Sequence, residues 1–175
     1  MALFAEKYYK GSDKALVIQK LAQIALKIGC TTDELDTVIF AECAWNPAAV
    51  NTASGAYGLI QWLNSTALDI FKVTAKSIGA LPAIKQLDYV ETYFLVNMKR
   101  LKQTKLADKY ELYLVVFHPA AVGKPDSYII LDAAKSLKGY NSNAGLDANG
   151  NKQITKGEVK LWFDKQIKKK GLLKA

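Results

Sequence analysis

Apolar residues recur at helical spacing along much of the chain. Leu16, Leu21, Ile24 and Ile28 lie opposite a polar stripe of Lys20, Gln23 and Lys27. That pattern predicts a helix from Ser12, as N-cap, to Gly29, as C-terminal cap. Thr31-Thr32-Asp33-Glu34 is a capping-box pattern. It opens a second helix that reaches about Ala44, with Leu35, Val38 and Ile39 as its apolar stripe. Pro47 forces Asn46 out of helical geometry. Residues 46–64 read as irregular backbone with a short hairpin, because Asn51, Ser54, Gly55 and Gly58 are turn formers. Helical patterning resumes after Asn64-Ser65-Thr66, and from Pro82 a long helix carries Ile84, Leu87, Phe94, Met98 and Leu101. Tyr110–Phe117 predicts another helix that stops before Pro119, and one more short helix is expected after Pro125. From Tyr140 the composition shifts to Asn, Gly and Asp. The expected architecture is a mostly α (α+β) domain over residues 1–138, with an appendage over 139–175.

Half of the 175 residues are hydrophobic and only 4 are proline, which supplies a proper core and excludes disorder. Twenty-four basic against 16 acidic residues give a net charge of +8. A basic surface favours anionic partners: nucleic acid, an acidic membrane face or an acidic wall polymer. The charge is spread along the chain and no nucleic-acid-binding motif accompanies it, so nucleic acid is not an expected partner. Two cysteines, Cys30 and Cys43, are too few for a disulfide scaffold, and one His excludes a multi-His metal site. No apolar tract approaches the ~20 residues a spanning helix needs. Met1–Lys7 lacks the apolar stretch of an export signal, so the chain is expected to be made in the cytosol.

Glu42 stands out. It follows Leu35, Val38 and Ile39 by seven, four and three residues, which puts a carboxylate on the apolar side of the second helix. The next 26 residues, Cys43 to Leu68, contain no Asp, Glu, Lys or Arg. Desolvation without a local cation would raise its pKa, as a general acid near neutral pH requires. A distant cation or an exposed helix end would equally account for it. The loop that follows mixes uncharged hydrogen-bonding groups (Asn46, Asn51, Ser54, Gln61, Asn64) with the aromatic rings of Trp45, Tyr57 and Trp62. Amides that grip hydroxyls and rings that pack on pyranose faces suit a sugar. An ordinary loop whose aromatics belong to the core is the competing explanation.

Glu42-Cys43-Ala44-Trp45-Asn46-Pro47, Ser54-Gly55-Ala56-Tyr57-Gly58-Leu59-Ile60-Gln61 and Asn64-Ser65-Thr66-Ala67 resemble, in order, the core motif of soluble lytic transglycosylases and goose-type lysozymes. A looser likeness to bacteriophage-type members covers residues 83–126. The resemblance implies a lysozyme-like fold, cleavage of the β-1,4 bond between N-acetylmuramic acid and N-acetylglucosamine, and Glu42 as catalytic acid. It puts Gln61 and the backbone around Ser54 in the substrate cleft; the polar and aromatic make-up of the loop adds Asn51, Tyr57 and Trp62 as candidate contacts. No cofactor is expected for catalysis. Two departures stand: Cys43 replaces the family's Ser, and Phe117-His118-Pro119-Ala120 replaces a Tyr-Asn-Ala-Gly stretch. A tyrosine that orients the acid would then be missing, with His118 as a stand-in. No second carboxylate occurs between Glu42 and Asp69. Glu91, near the apolar stripe of the long helix, is the candidate to face the cleft. Absence of a local partner favours the transglycosylase route over hydrolysis. The phage-type likeness suggests an endolysin or virion-associated lysin, a monomer unless built into a particle. The alternative is a non-catalytic wall-binding or calcium-binding module of a virion.

Asp147–Glu158 fits a 12-residue EF-hand loop: Asp147, Asn149 and Asn151 at positions 1, 3 and 5, Gln153 at 7, and Glu158 at 12. Lys152 stands where Gly usually turns. A weakly held structural calcium ion is one expectation; Asn-rich turns that cap the last helix are the other. Residues 160–170 are basic and amphipathic, which suits contact with anionic envelope polymers or packing of Leu161, Trp162 and Ile167 on the domain.

Overall fold

A computed structural model describes residues 2–106 and 108–169; Lys170 of the basic ending lies outside them. The elements in order are α1 (Phe4–Tyr8), α2 (Lys14–Ile28), α3 (Thr32–Cys43), β1 (Val50–Asn51), β2 (Ala56–Tyr57), α4 (Asn64–Phe71), α5 (Ala75–Gly79), α6 (Ala83–Leu101) and α7 (Lys109–Phe117). There follow β3 (Ile129–Asp132), α8 (Leu137–Asn141), β4 (Gln153–Thr155) and α9 (Lys156–Lys169). The chain is thus mostly helical with two small antiparallel sheets, β1–β2 and β3–β4. Among the described residues no helix is long and apolar enough to cross a membrane. Contacts divide the chain into two compact units, Met1–Val116 and Phe117–Ala175.

In the first unit α2 packs against both α3 and α6. Leu21, Ile24, Ile28, Leu35, Ile39, Leu87 and Phe94 are fully buried there, so the helical stripes meet in one core. The termini follow local chemistry. Gly29 ends α2 at φ 73°, a left-handed position that glycine occupies without strain. The capping box forms: Thr31 Oγ1 accepts from Glu34 N at 3.2 Å, and Glu34 Oε2 accepts from Thr31 N at 2.8 Å. Ser12, expected as N-cap, lies in a turn outside α2, where Asp13 is the cap residue. The Asp13 carboxylate caps nothing and instead accepts from the Tyr9 hydroxyl at 2.7 Å.

Asp36 was not singled out by the apolar pattern, yet it organises this unit. It is fully buried in α3 and accepts three hydrogen bonds, from Phe4 N, Ala5 N at 3.0 Å and Trp45 Nε1 at 2.8 Å. Phe4 and Ala5 open α1, so a carboxylate from another helix satisfies donors that a short helix cannot. Burial pushes the Asp36 carboxyl up to about 6, against the downward pull of its three donors. The folded chain therefore holds this proton more tightly than the unfolded chain. The carboxyl contributes most to stability below about pH 4, and that contribution is lost as pH rises through 6. Asp36→Asn presents an amide N–H to at least one donor, so we expect a loss of about 1–3 kcal/mol. Thermal unfolding between pH 4 and 7 should show the wild type losing stability relative to its own value at pH 4, and the variant losing less.

The second unit is built around β3 and β4, paired Ile129↔Thr155, Leu131↔Ile154 and Asp132↔Gln153. Ile154, Val159, Phe163 and Ile167 are buried, and Leu146 and Ile130 nearly so. The short helix expected after Pro125 is replaced by β3. Ile129-Ile130-Leu131 suits a pleated, half-buried strand, and its partner lies more than 20 residues away. That pairing ties residues near 130 to the Asn-rich loop region, so the contacts divide the chain well before residue 138. A short helix does occur later, as α8, which begins five residues after β3 ends at Asp132.

Candidate functional site

Glu42 is half-buried in the last turn of α3. Immediately beyond it, Ala44 and Trp45 both take left-handed backbone, at φ 51° and 60°. Each such non-glycine residue costs about 1 kcal/mol, so the surrounding structure must impose the turn. It does so with Ala44 N donating to Phe40 O at 2.9 Å and Asn46 N to Cys43 O at 3.0 Å. The Trp45 indole, 1% exposed, is pinned to Asp36. The chain thus reverses directly after the carboxylate.

Two tyrosines attend Glu42, one from α6 and one from α7. Burial raises the Tyr93 hydroxyl to about 12, with the Glu42 charge as a further cause. Burial raises Tyr113 well above the ordinary range, and again Glu42 contributes. Both rings are 6% exposed. Tyr93 also donates from its hydroxyl to Val115 O at 2.7 Å, linking α6 to α7. Two tyrosine hydroxyls thus lie within electrostatic reach of Glu42, at positions other than the 117–120 stretch. Sequence reasoning missed both because it looked for the hydroxyl after Val116, and they lie 51 and 71 residues beyond Glu42. His118 falls in the second unit, half-buried, with burial lowering its pKa.

The loop after Glu42 is shaped by its own amides. Asn46 Oδ1 accepts from Ala48 N, and Asn51 Oδ1 accepts from Ala53 N and Ser54 N, both at 3.1 Å, which makes the hairpin turn. Asn51 and Ser54 are exposed at that turn, and Tyr57 is half-buried in β2. The hairpin pairs Val50↔Tyr57 and Asn51↔Ala56. Gln61 sits at φ 52° and donates to Gly58 O at 3.0 Å. Trp62 is 2% exposed, so it offers no open ring face; its indole packs edge-on against Phe71 at 5.5 Å and Tyr93 at 5.4 Å. Trp45 and Trp62 are core residues, as the plainer explanation of the aromatic loop had it. Gln61, Trp62, Thr66 and Tyr93 line a small cavity of about 40 Å³.

Glu91, the candidate second carboxylate, and Asp69, the first acid after Glu42 in the sequence, are both held in ion pairs. Glu91 pairs with Lys27 of α2, and it lies two residues from Tyr93, about 160° around the helix. Asp69 pairs with Arg100 at 3.0 Å. A groove of about 500 Å³, lined by Phe71, Leu81, Lys85 and Tyr89 among others, runs along α6 one turn from Tyr93. No sequence pattern pointed to it, because its walls come from α4, α6 and the connection that precedes α6.

In the second unit the residues that could hold calcium are Asp147, Asn149, Asn151, Gln153 and Glu158. Lys152 takes φ 65°, the turn that Gly usually makes. Glu158 Oε1 accepts from Ala148 N at 3.0 Å, which brings the two ends of the loop together. The oxygens already serve protein donors. Asp147 accepts from Tyr140 Oη, Gly150 N and Lys152 N, Asn149 from Asn151 N, Asn151 from Gln153 N, and Glu158 from Thr155. Desolvation of Asp147 is outweighed by these bonds, so its pKa is lowered; the same bond raises that of Tyr140. Among the described residues no group of three or more His, Cys, Asp or Glu gathers as a metal cluster.

No protein-family model matches the chain, and no curated protein matches it significantly.

Proposed function

We propose that this protein degrades peptidoglycan, cleaving the bond between N-acetylmuramic acid and N-acetylglucosamine in a lysozyme-like domain. The observation that carries the reading is a half-buried carboxylate, Glu42, attended by two buried tyrosines and followed at once by two residues in strained backbone. Strain and perturbed acidities gather where geometry serves chemistry. Glu42 donates its proton to the glycosidic oxygen as the bond breaks. The carboxylate then takes the proton of the muramic acid 6-hydroxyl as that oxygen attacks C1, giving a 1,6-anhydro end. This route needs one carboxylate, and the pairing of Glu91 with Lys27 and Asp69 with Arg100 favours it over a two-carboxylate hydrolysis. The partner is bacterial wall, reached by an endolysin or a virion-borne lysin, and the +8 charge suits anionic envelope polymers.

Mass spectrometry of the soluble fragments released from purified peptidoglycan tests the reading. Anhydromuramic ends are expected. Reducing muramic ends would mean hydrolysis by a positioned water. No fragments from walls of several chemistries would overturn the enzyme and leave a wall-binding or calcium-binding virion module.

The Asp147–Glu158 loop is proposed to take calcium weakly and structurally, since only two of its ligands are charged. At about 1–10 mM calcium, thermal unfolding should shift upward by a few degrees, and the shift should vanish in Glu158→Gln. No shift in the wild type at such concentrations would leave the loop as an Asn-turn cap of α9.

A further inference from the structure

The net charge that looks spread along the sequence divides unevenly between the two units. The second unit, residues 117–175, holds 11 of the 24 basic residues and 5 of the 16 acidic ones, so it carries +6 of the chain's +8. In the first unit charges pair across elements, as Lys20 does with Asp88, Lys27 with Glu91 and Arg100 with Asp69. In the second, Asp126 is paired with Lys160, and Asp132, Asp147 and Glu158 are taken up by backbone and side-chain donors. Among the described residues no ion pair involves Lys165, Lys168 or Lys169 of α9, nor Lys135, Lys138 or Lys152 around α8.

Helix α9 has two faces. Val159, Phe163 and Ile167 recur at every fourth residue and are buried. Leu161, Lys165, Lys168 and Lys169 fall within about 100° of one another on the opposite side. All four are exposed, Leu161 at 57%. Ile167 therefore packs into the unit, whereas Leu161 is turned out among lysines. The arrangement recurs where α8 begins. Leu137, 62% exposed, stands between Lys135 and Lys138, and the Lys152 carbonyl accepts from Ala133 N at 3.0 Å, which sets a third lysine across the same turn. We propose that the outward face of α9 docks this unit on an anionic phospholipid surface, lying on the bilayer without spanning it. The ammonium groups meet lipid phosphates, while the lysine stems and Leu161 rest at the boundary between headgroups and acyl chains. A soluble polyanion would engage the lysines alone and leave Leu161 and Leu137 in water, whereas a lipid surface uses both kinds of side chain. The cations around α8 add to the attraction.

The test is sedimentation of the full chain with vesicles of about 30% phosphatidylglycerol in phosphatidylcholine, at about 0.1 M salt. The wild type should bind these vesicles and leave pure phosphatidylcholine vesicles alone. Each lysine near an anionic surface contributes about fivefold to partitioning, so Lys165→Gln, Lys168→Gln and Lys169→Gln together should weaken binding about 100-fold. The same charge change made in the first unit, with Lys76→Gln, Lys102→Gln and Lys105→Gln, should cost less than about tenfold. Leu161→Ser should weaken vesicle binding about tenfold and leave binding to soluble polyphosphate unchanged. Every substituted side chain is exposed, so each variant should melt as the wild type does. Wild-type protein that ignores the anionic vesicles overturns the proposal. Equal weakening by the two triple variants overturns it as well, since attraction would then follow net charge and not this face. A Leu161→Ser protein that binds vesicles like the wild type gives the face to a soluble polyanion instead. None of these measurements depends on Glu42, so the peptidoglycan reading stands or falls separately.

Discussion

Glu42→Gln should abolish release of wall fragments while the protein folds as before. The substitution keeps the shape of the side chain and its capacity to accept a hydrogen bond, but it removes the proton that the leaving oxygen needs. General acid–base groups supply about 10²–10⁴ in rate, and here one group serves both half-reactions, so a loss of at least about 10²-fold is expected. Because the amide matches the carboxylate in shape and volume, the variant should remain folded. Turbidity clearance of wall suspensions and a thermal melt, run together, make the check. Loss of fragments with an intact melt supports the acid role. A variant that clears walls at wild-type rate would remove Glu42 from the chemistry.

How much of this was legible in the sequence depended on how far apart the interacting residues lie. Gly29, the Thr31–Glu34 box and Pro82 mark helix ends through contacts within a few residues, and the helices begin and end beside them. The hairpin at Val50–Tyr57 was legible for the same reason: Asn51 builds its own turn. Where the partner is remote, the pattern was silent. Asp36 lies on a second stripe of α3 with Phe40 and Cys43, all three buried, and a carboxylate among apolar residues was a signal available there. Its partners Phe4 and Ala5 lie over 30 residues away. The Glu42 neighbours Tyr93 and Tyr113 depend on the packing of three helices. The β3–β4 pairing is similarly long-range, and it converted an expected helix into a strand. Of the candidate site, Glu42, Gln61 and Trp62 were nameable in advance. The direction of each was not: Trp62 points its ring into the core, and Glu91 turns to Lys27.

Gln86→Leu should be among the most damaging single changes in the first unit. Gln86 is a fully buried polar residue of α6 that reaches three loops at once. Its Oε1 accepts from Leu59 N at 2.9 Å, and its Nε2 donates to Pro47 O at 2.7 Å and Leu81 O at 2.8 Å. Pro47 follows the strained turn after Glu42, Leu59 lies between Gly58 and the cavity residues, and Leu81 precedes α6. One amide therefore fixes the far side of the site loop. The approach is tight: a Cβ on Gly58 would stand 2.4 Å from Gln86 Oε1, and Gly58 sits at φ 76°, so this residue must be glycine on both counts. Leucine matches the volume of glutamine but leaves one N–H and two carbonyls in the interior without partners. At about 1–3 kcal/mol for each orphaned group, with partial relaxation, the loss should reach about 3–5 kcal/mol. The melting temperature should fall by roughly 10 °C or more. Wall-clearing activity should fall further than stability alone dictates, measured at a temperature where the variant is still folded, because the loop carrying Gln61 and Trp62 loses its anchor while α2, α3 and α6 keep their packing. Gln86→Glu should be as harmful, since it retains the acceptor for Leu59 but turns a carboxylate on the carbonyls of Pro47 and Leu81. A Gln86→Leu protein that melts within about 1 kcal/mol of the wild type and clears walls normally would show that the loop is held by packing and not by this amide.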